Sequence, residues 1–350
     1  MKIHLQRRPP LPWWGIALLP VVAVLLSILF SSILIAISGA DIFNAWYLIF
    51  THSLGSRFAF FETLVKMAPL VFTGLAVSVA FKASFWNIGA EGQLYVGALV
   101  AAVLGILPVK LPSFLHILLI ISGGFLAGGL TAAIPGYLKA RLNVSDVVTT
   151  LLMNYIIILM IEALLNGPWR DALSGWPHSP TILESARFPI FVARSRFHLG
   201  ILLMLIAVGF VYVLFKKTAL GYRIKVFGEN PQAAFFGGIP TGRILIVAAF
   251  LSGGLAGLAG VGEVCAVQYY LISNLSTGYG YFGIVIAVLG RLNPVGVLLA
   301  AFYFAAIITG GQGMSRITGV PVYIAEVIQG ITLLCMLAVM LLNEYRLKIE

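Results

Sequence analysis

Residues able to do chemistry are sparse in this chain, and they gather in three places. The first is Trp86-Asn-Ile-Gly-Ala-Glu-Gly-Gln93, where the Glu91 carboxylate stands between two amides, Asn87 and Gln93, and close to the Trp86 indole. The second is Ser273-Asn-Leu-Ser-Thr-Gly-Tyr-Gly-Tyr-Phe-Gly283, which carries Asn274, Ser276 and Tyr281. Fixed amides, hydroxyls and a carboxylate beside flat aromatic faces suit the holding of a small polar solute. The third place is the basic stretch 216–243, punctuated by Gly228, Pro231 and Gly238. Asn230 is placed to N-cap a short helix, Pro231 fits its first position, and Gly237 or Gly238 can stop it. A short capped helix at a membrane surface is a suitable lever for a soluble partner.

Bond-breaking chemistry is harder to find. No G-x-x-x-x-G-K-[ST] loop exists to cradle ATP phosphates. The five histidines (His4, His52, His116, His178 and His198) are scattered, and no H-E-x-x-H occurs. Gly278-Tyr-Gly280-Tyr-Phe-Gly283 matches a dinucleotide fingerprint by letter but has no β-α-β context. Its glycines fit a helix break better. Cys265 and Cys335 have neither zinc spacing nor a disulfide framework and read as small apolar side chains. No nucleophile–base pair or metal cluster emerges, so an enzyme is not the expected class.

The elements that must position these residues follow from composition. Of 350 residues 60% are apolar and 10% charged, against about 25% charged in a soluble domain. One membrane-spanning helix uses about 20 apolar residues, so the stock supports roughly ten spans. A barrel is excluded because its strands would alternate polar and apolar. The expected class is therefore an all-α polytopic membrane protein with about ten transmembrane helices. The spans run at about 15–37, 62–81, 91–107, 114–137, 147–166, 198–215, 243–263, 280–290, 294–310 and 321–342. The first is too long for a secretory leader and reads as an uncleaved span.

With the N-terminus inside and each span crossing once, 14 Lys and Arg fall inside and 8 outside. Short basic loops favour the cytoplasm, so both termini are expected there. The net charge of +10 then reads as loops facing anionic lipid, not nucleic acid. A single transmembrane domain, 1–350, would comprise halves at about 15–166 and 198–342, with the cytoplasmic loop 216–243 between the sixth and seventh spans. The two polar, glycine-rich segments each fall between the second and third spans of a half. Five spans per half imply an inverted repeat, and interruptions at matching positions point to a transporter's binding site. Gly124 and Gly128, like Gly253 and Gly257, stand four apart and predict tight helix packing. Asp146 is read as a cap of the fifth span, and Glu162 and Glu263 as interfacial. Glu91 either lines the path or holds the bend together.

The same residues resemble a known family. Trp86 to Gln93 resembles the F-N-I-G-A-E-G-Q segment of permease subunits in bacterial nucleoside ABC importers. Leu220 to Ile239 is similar to that family's cytoplasmic coupling segment, and Thr150-Leu-Leu-Met-Asn-Tyr155 to its T-I-M-L-N-Y stretch. Ser252 to Gly260 and Gly290 to Gly296 match as well, in order, over about residues 60–340. Trp86 replaces the usual Phe, and Phe235-Phe236 is bulkier than the common pattern. The broader group includes ribose and branched-chain amino-acid permeases.

The resemblance implies a ten-helix fold in a bacterial plasma membrane and a second permease chain. It also implies an ABC ATPase at the cytoplasmic face, supplying ATP and Mg, and a substrate-binding lipoprotein or periplasmic protein. Under this reading the substrate is a nucleoside, and the chain itself is not an enzyme. Trp86, Asn87, Glu91, Gln93, Asn154, Asn274, Ser276 and Tyr281 become candidates for the substrate path. Gly228, Glu229, Asn230, Pro231, Ala233, Ala234 and Gly238 become candidates for ATPase coupling. Two alternatives stand beside it: a simple sugar such as ribose as substrate, or an ion-coupled secondary transporter using Glu91.

Overall fold

The computed structural model describes residues 3–7, 12–108, 111–171 and 175–349. Helices dominate: α1 (Trp13–Ile37), α2 (Ile42–Leu54), α3 (Arg57–Phe81), α4 (Ala90–Ile106), α5 (Ser113–Leu142), α6 (Asp146–Asn166) and α7 (Leu199–Lys217). Then come α8 (Ala219–Glu229), α9 (Pro231–Phe236), α10 (Thr241–Gly262), α11 (Tyr279–Leu289), α12 (Pro294–Thr318) and α13 (Ile324–Glu344). Among the described residues, eight helices are long and apolar enough to cross a membrane: α1, α3, α5, α6, α7, α10 with its extension, α12 and α13. The expected third and eighth spans are the shorter apolar helices α4 and α11. The all-helical expectation needs one amendment. Strand β1 (Ile3–Arg7) pairs antiparallel with β2 (Tyr345–Ile349), joining the two chain ends.

Contacts divide the chain into two compact units, Met1–Thr63 with Tyr303–Glu350, and Leu64–Phe302. In the first, α2 is a helix that hydropathy alone does not reveal. It has 13 residues, too few to span. Asp41 starts it by accepting a hydrogen bond from the Asn44 N–H at 2.6 Å, and Trp46 Nε1 donates to Ser32 Oγ of α1 at 2.9 Å. Ile35, Leu48, Ile49, Ile307, Met314 and Ile328 form this unit's core.

The second unit holds all three polar regions. Its centre is the crossing of α5 and α10. At Gly128, Gly253 and Gly257 an added methyl would meet the facing helix's backbone, and at Gly124 it would meet the Val261 side chain, so these glycines let the two helices approach closely. Gly97 lies against Gly257, and Gly260 against the Leu94 carbonyl, which brings α4 onto the same helix. In lipid, where apolar burial offers little drive, such close contact is the main source of helix association.

Candidate functional site

Each polar segment ends by starting a short helix, and the two helices meet at their N-termini. Gly280, in the first turn of α11, lies so close to the backbone of Ala90 and Glu91 that a side chain has no room. The Gly280 N–H donates to Glu91 Oε2 at 2.6 Å. The first N–H groups of any helix lack intrahelical acceptors and carry its partial positive charge. Here a carboxyl from the other half of the chain serves those of α11.

The opening turn of α4 is satisfied from different sources. Asn154 Oδ1 on α6 accepts from the Gly92 N–H at 2.8 Å, and its Nδ2 donates to the Ile88 carbonyl at 2.8 Å. Asn87 Oδ1 accepts from the Gly89 N–H at 2.9 Å and from Gln93 Nε2 at 3.0 Å. Asn87 Nδ2 donates to Gln93 Oε1 and to Ser252 Oγ, both at 2.9 Å. Ser252 Oγ passes its own proton to the Ala76 carbonyl at 2.7 Å. Asn87, Glu91, Gln93 and Asn154 are all buried. Irregular backbone at membrane depth is tolerated only where protein satisfies it; Asn87, Glu91 and Asn154 do so directly, and Gln93 holds the Asn87 amide.

The remaining candidates sit differently. Trp86 is 51% exposed and Tyr281 37%. Asn274 is exposed and Ser276 half-buried. Ser276 Oγ accepts from the Gly278 and Tyr279 N–H groups at 3.1 and 2.9 Å, shaping the turn into α11. Tyr95 OH donates to the Ser273 carbonyl at 2.7 Å and anchors that loop to α4. Tyr281 OH accepts from Asn154 Nδ2 at 3.4 Å. Trp86 packs edge-on against Phe81, 4.6 Å between centroids.

Asp146 does not cap its own helix. Ser145 occupies that position, without a side-chain bond. Asp146 Oδ2 instead accepts from the Trp86 N–H and from Lys139 Nζ, each at 2.6 Å. Lys139 also donates to the Ser84 carbonyl at 2.6 Å. This ion pair therefore fixes the first polar segment to α5 and α6. Glu263 lies at the C-terminal end of α10. It is 5% exposed and opens a π-helical turn, Glu263–Gln268, that extends α10.

The basic stretch forms two helices. The second is the expected one: Asn230 Oδ1 accepts from the Ala233 N–H at 2.9 Å, Pro231 opens α9, and Gly237 follows it. Gly238 then takes a φ of +75°, a conformation that favours glycine. Phe235 and Phe236 are 66% and 87% exposed, whereas Ala234 is buried. Helix α8 was not legible as such. It ends at Glu229, and Gly228 lies against the Lys82 carbonyl where no side chain fits. Ser84 Oγ donates to the Gly228 carbonyl at 2.7 Å, so α8 is tied directly to the first polar segment. Lys82 stands 4.6 Å from the Phe215 ring. Burial, then the charges of Lys225 and Lys216, hold its ammonium below the usual lysine range.

Comparison with known proteins bears on what this arrangement does. A family model described as the permease component of branched-chain amino acid transport systems matches residues 59–337. A glucose ABC transporter permease of Haloferax volcanii is 30% identical, covering 100% of this chain and 94% of its own. A guanosine ABC transporter permease of Bacillus subtilis is 31% identical over 91% of this chain and 92% of its own. A nucleoside ABC transporter permease of Lactococcus lactis is 31% identical over 89% and 88%. No solved structure matches significantly.

Proposed function

The chain belongs to the permease-component family of branched-chain amino acid transport systems, and we propose that it is a membrane subunit of an ATP-driven nucleoside importer. The observation that carries the substrate class is the closed N-terminus of α11. Discontinuous helices in transporters often turn a bare N-terminus toward an anionic substrate group. Here Glu91 already occupies that position, and Asn87 and Asn154 serve the N-terminus of α4. The joint offers an amino acid's carboxylate no free positive pole. A neutral solute fits instead, and two of the similar permeases are named for guanosine and nucleosides. The relative named for glucose supports a neutral sugar as the second reading.

In this reading Trp86, Asn274, Ser276 and Tyr281 border the substrate path. Asn87, Glu91, Gln93 and Asn154 hold the bend from which the path is built. Segment Gly228–Gly238, with Glu229, Asn230, Pro231, Ala233 and Ala234, forms the coupling element. The exposed Phe235 and Phe236 are its contact with an ABC ATPase, which binds ATP and Mg. The chain works beside a second permease and receives substrate from a binding lipoprotein or periplasmic protein. Ten spans, with α4 and α11 as the two short ones, leave both termini cytoplasmic. The pairing of β1 with β2 supports this, since it brings both ends to one side.

The test is import by the full complex in proteoliposomes with ATP inside or outside. Uptake of a purine nucleoside only where ATP reaches the ATPase is the expected result. Preferential uptake of glucose or leucine would overturn the substrate, and uptake without ATP would overturn the class. Topology is checked with single cysteines at Glu184 and Gln232, both exposed. They should label from opposite sides. Phe236→Ala should lower nucleoside imported per ATP hydrolysed; an unchanged ratio would remove α9 from coupling.

A further inference from the structure

A second aromatic and amide cluster lies away from the helix joint. Trp176, Pro177, His178, Tyr270, Ile272, Ser273 and Asn274 line an open cleft of ≈ 460 Å³. That is within the roughly 300–1,000 Å³ range of small-molecule sites. Its walls are fixed by backbone. His178 bridges to Ile272 in antiparallel fashion. Ser179 N–H donates to the Leu271 carbonyl, and Ser179 Oγ accepts from the Leu271 N–H, both at 2.9 Å. The His178 and Tyr270 rings stand 4.9 Å apart at 41°. Trp176 leaves 70% of its surface open, and Asn274 is exposed beside it.

The position of this cleft along the helices is informative. Helix α7 ends and α10 begins near the α8–α9 segment, and each runs about 30 Å, one membrane thickness, to its other end. At that other end α10 passes through its π turn into Tyr269–Ile272, which forms one wall of the cleft. The cleft therefore lies on the face opposite the coupling element. Its floor, Ser273 and Asn274, continues through Ser276, which accepts from the first N–H groups of the turn, into α11. A solute resting in the cleft sits one loop from the joint.

We propose that this cleft is an outer subsite where a nucleoside rests before reaching the path. Trp176 and Tyr270 offer faces for the base, while Asn274 offers hydrogen bonds to the base edge or ribose hydroxyls. This rests on the nucleoside reading above. The concave shape and the few convergent polar groups suit a small molecule rather than a flat protein contact.

The test is photolabelling of the assembled complex in membranes with an azido-purine nucleoside, with uptake measured on the same preparations. Label should appear within 175–178 or 269–274 and be competed by the unlabelled nucleoside. Trp176→Ala and Tyr270→Ala should each cut labelling and sub-saturating uptake by about tenfold. Trp176→Phe and Tyr270→Phe should restore most of both. Label confined elsewhere, or label that the unlabelled nucleoside does not displace, overturns the subsite while active uptake leaves the nucleoside reading intact. Absent nucleoside uptake by the unaltered complex overturns that reading instead. Loss of binding-protein association in the alanine variants, with labelling unchanged, assigns the cleft to that partner and also overturns the subsite.

Discussion

The two polar segments contain similar residues and use them in opposite ways. In 86–93, Asn87, Glu91 and Gln93 are buried and their polar atoms point into the protein. In 273–283 Ser276 serves two N–H groups of the turn, and the rest of the main chain's side-chain support comes from Glu91, Tyr95 and Thr73, whose Oγ1 donates to the Tyr279 carbonyl at 2.9 Å. Its own Asn274 and Tyr281 are left at the surface. In the proposed reading one segment is the frame and the other presents chemistry. A polar residue in a broken membrane helix is therefore not automatically a ligand for the substrate. The broken backbone must first be satisfied, and the residue that does so is unavailable for cargo.

The comparison can be broken by substitution. The largest effect is expected at Gly280, where any side chain meets the backbone of Glu91. Gly280→Val should abolish assembled complex, seen as loss of the monodisperse peak on size exclusion. Normal assembly would mean that the two helix ends do not meet as described. Asn87→Ala comes next. It strands Gln93 and the Gly89 N–H in a buried site, at about 1–3 kcal/mol for each unsatisfied group. The detergent-solubilised complex should melt several degrees lower, and melting at the unaltered temperature would contradict the frame assignment.

Glu91→Gln keeps an acceptor for the Gly280 N–H and loses only charge assistance. A hydrogen bond to a charged group exceeds a neutral one by about 1 kcal/mol, so assembly should survive with a small drop in melting temperature. Uptake should fall with it, because α11 is less firmly placed. A larger defect than that of Asn87→Ala would shift Glu91 from frame to path. The smallest stability effect belongs to Asn274→Ala and Tyr281→Phe, within about 0.5 kcal/mol as for other surface changes. Uptake should nonetheless fall several-fold. If both variants transport normally, the second segment does not present the chemistry assigned to it.

Local features were legible in the sequence wherever their partners lie nearby in the chain. The α9 helix is one, since Asn230 bonds the N–H of Ala233, three residues on. The glycine pairs of α5 and α10 are another: spacing four puts them on one face, though it does not name the facing helix. Asp146 was misread because its partners, Trp86 and Lys139, are recruited by the fold, while an acid at a helix start looks locally like a cap. Helices α2 and α8 escaped notice because neither is a full apolar span.

Composition and periodicity by themselves determined that this is a polytopic helical membrane protein with two interruptions. Both are consequences of the solvent: lipid demands long apolar helices, and any glycine-rich polar stretch between them stands out. The meeting of Glu91 with Gly280 is a different matter. The two residues are 189 positions apart, and nothing in either segment shows that a carboxyl in one will terminate the helix begun by the other. That was decided only when α4 packed against α10, and α11 against α3 and α4, through glycine contacts, which brought the Glu91 carboxyl within hydrogen-bonding distance of the α11 N-terminus. Only the tertiary structure set the Glu91 carboxyl against the Gly280 N–H.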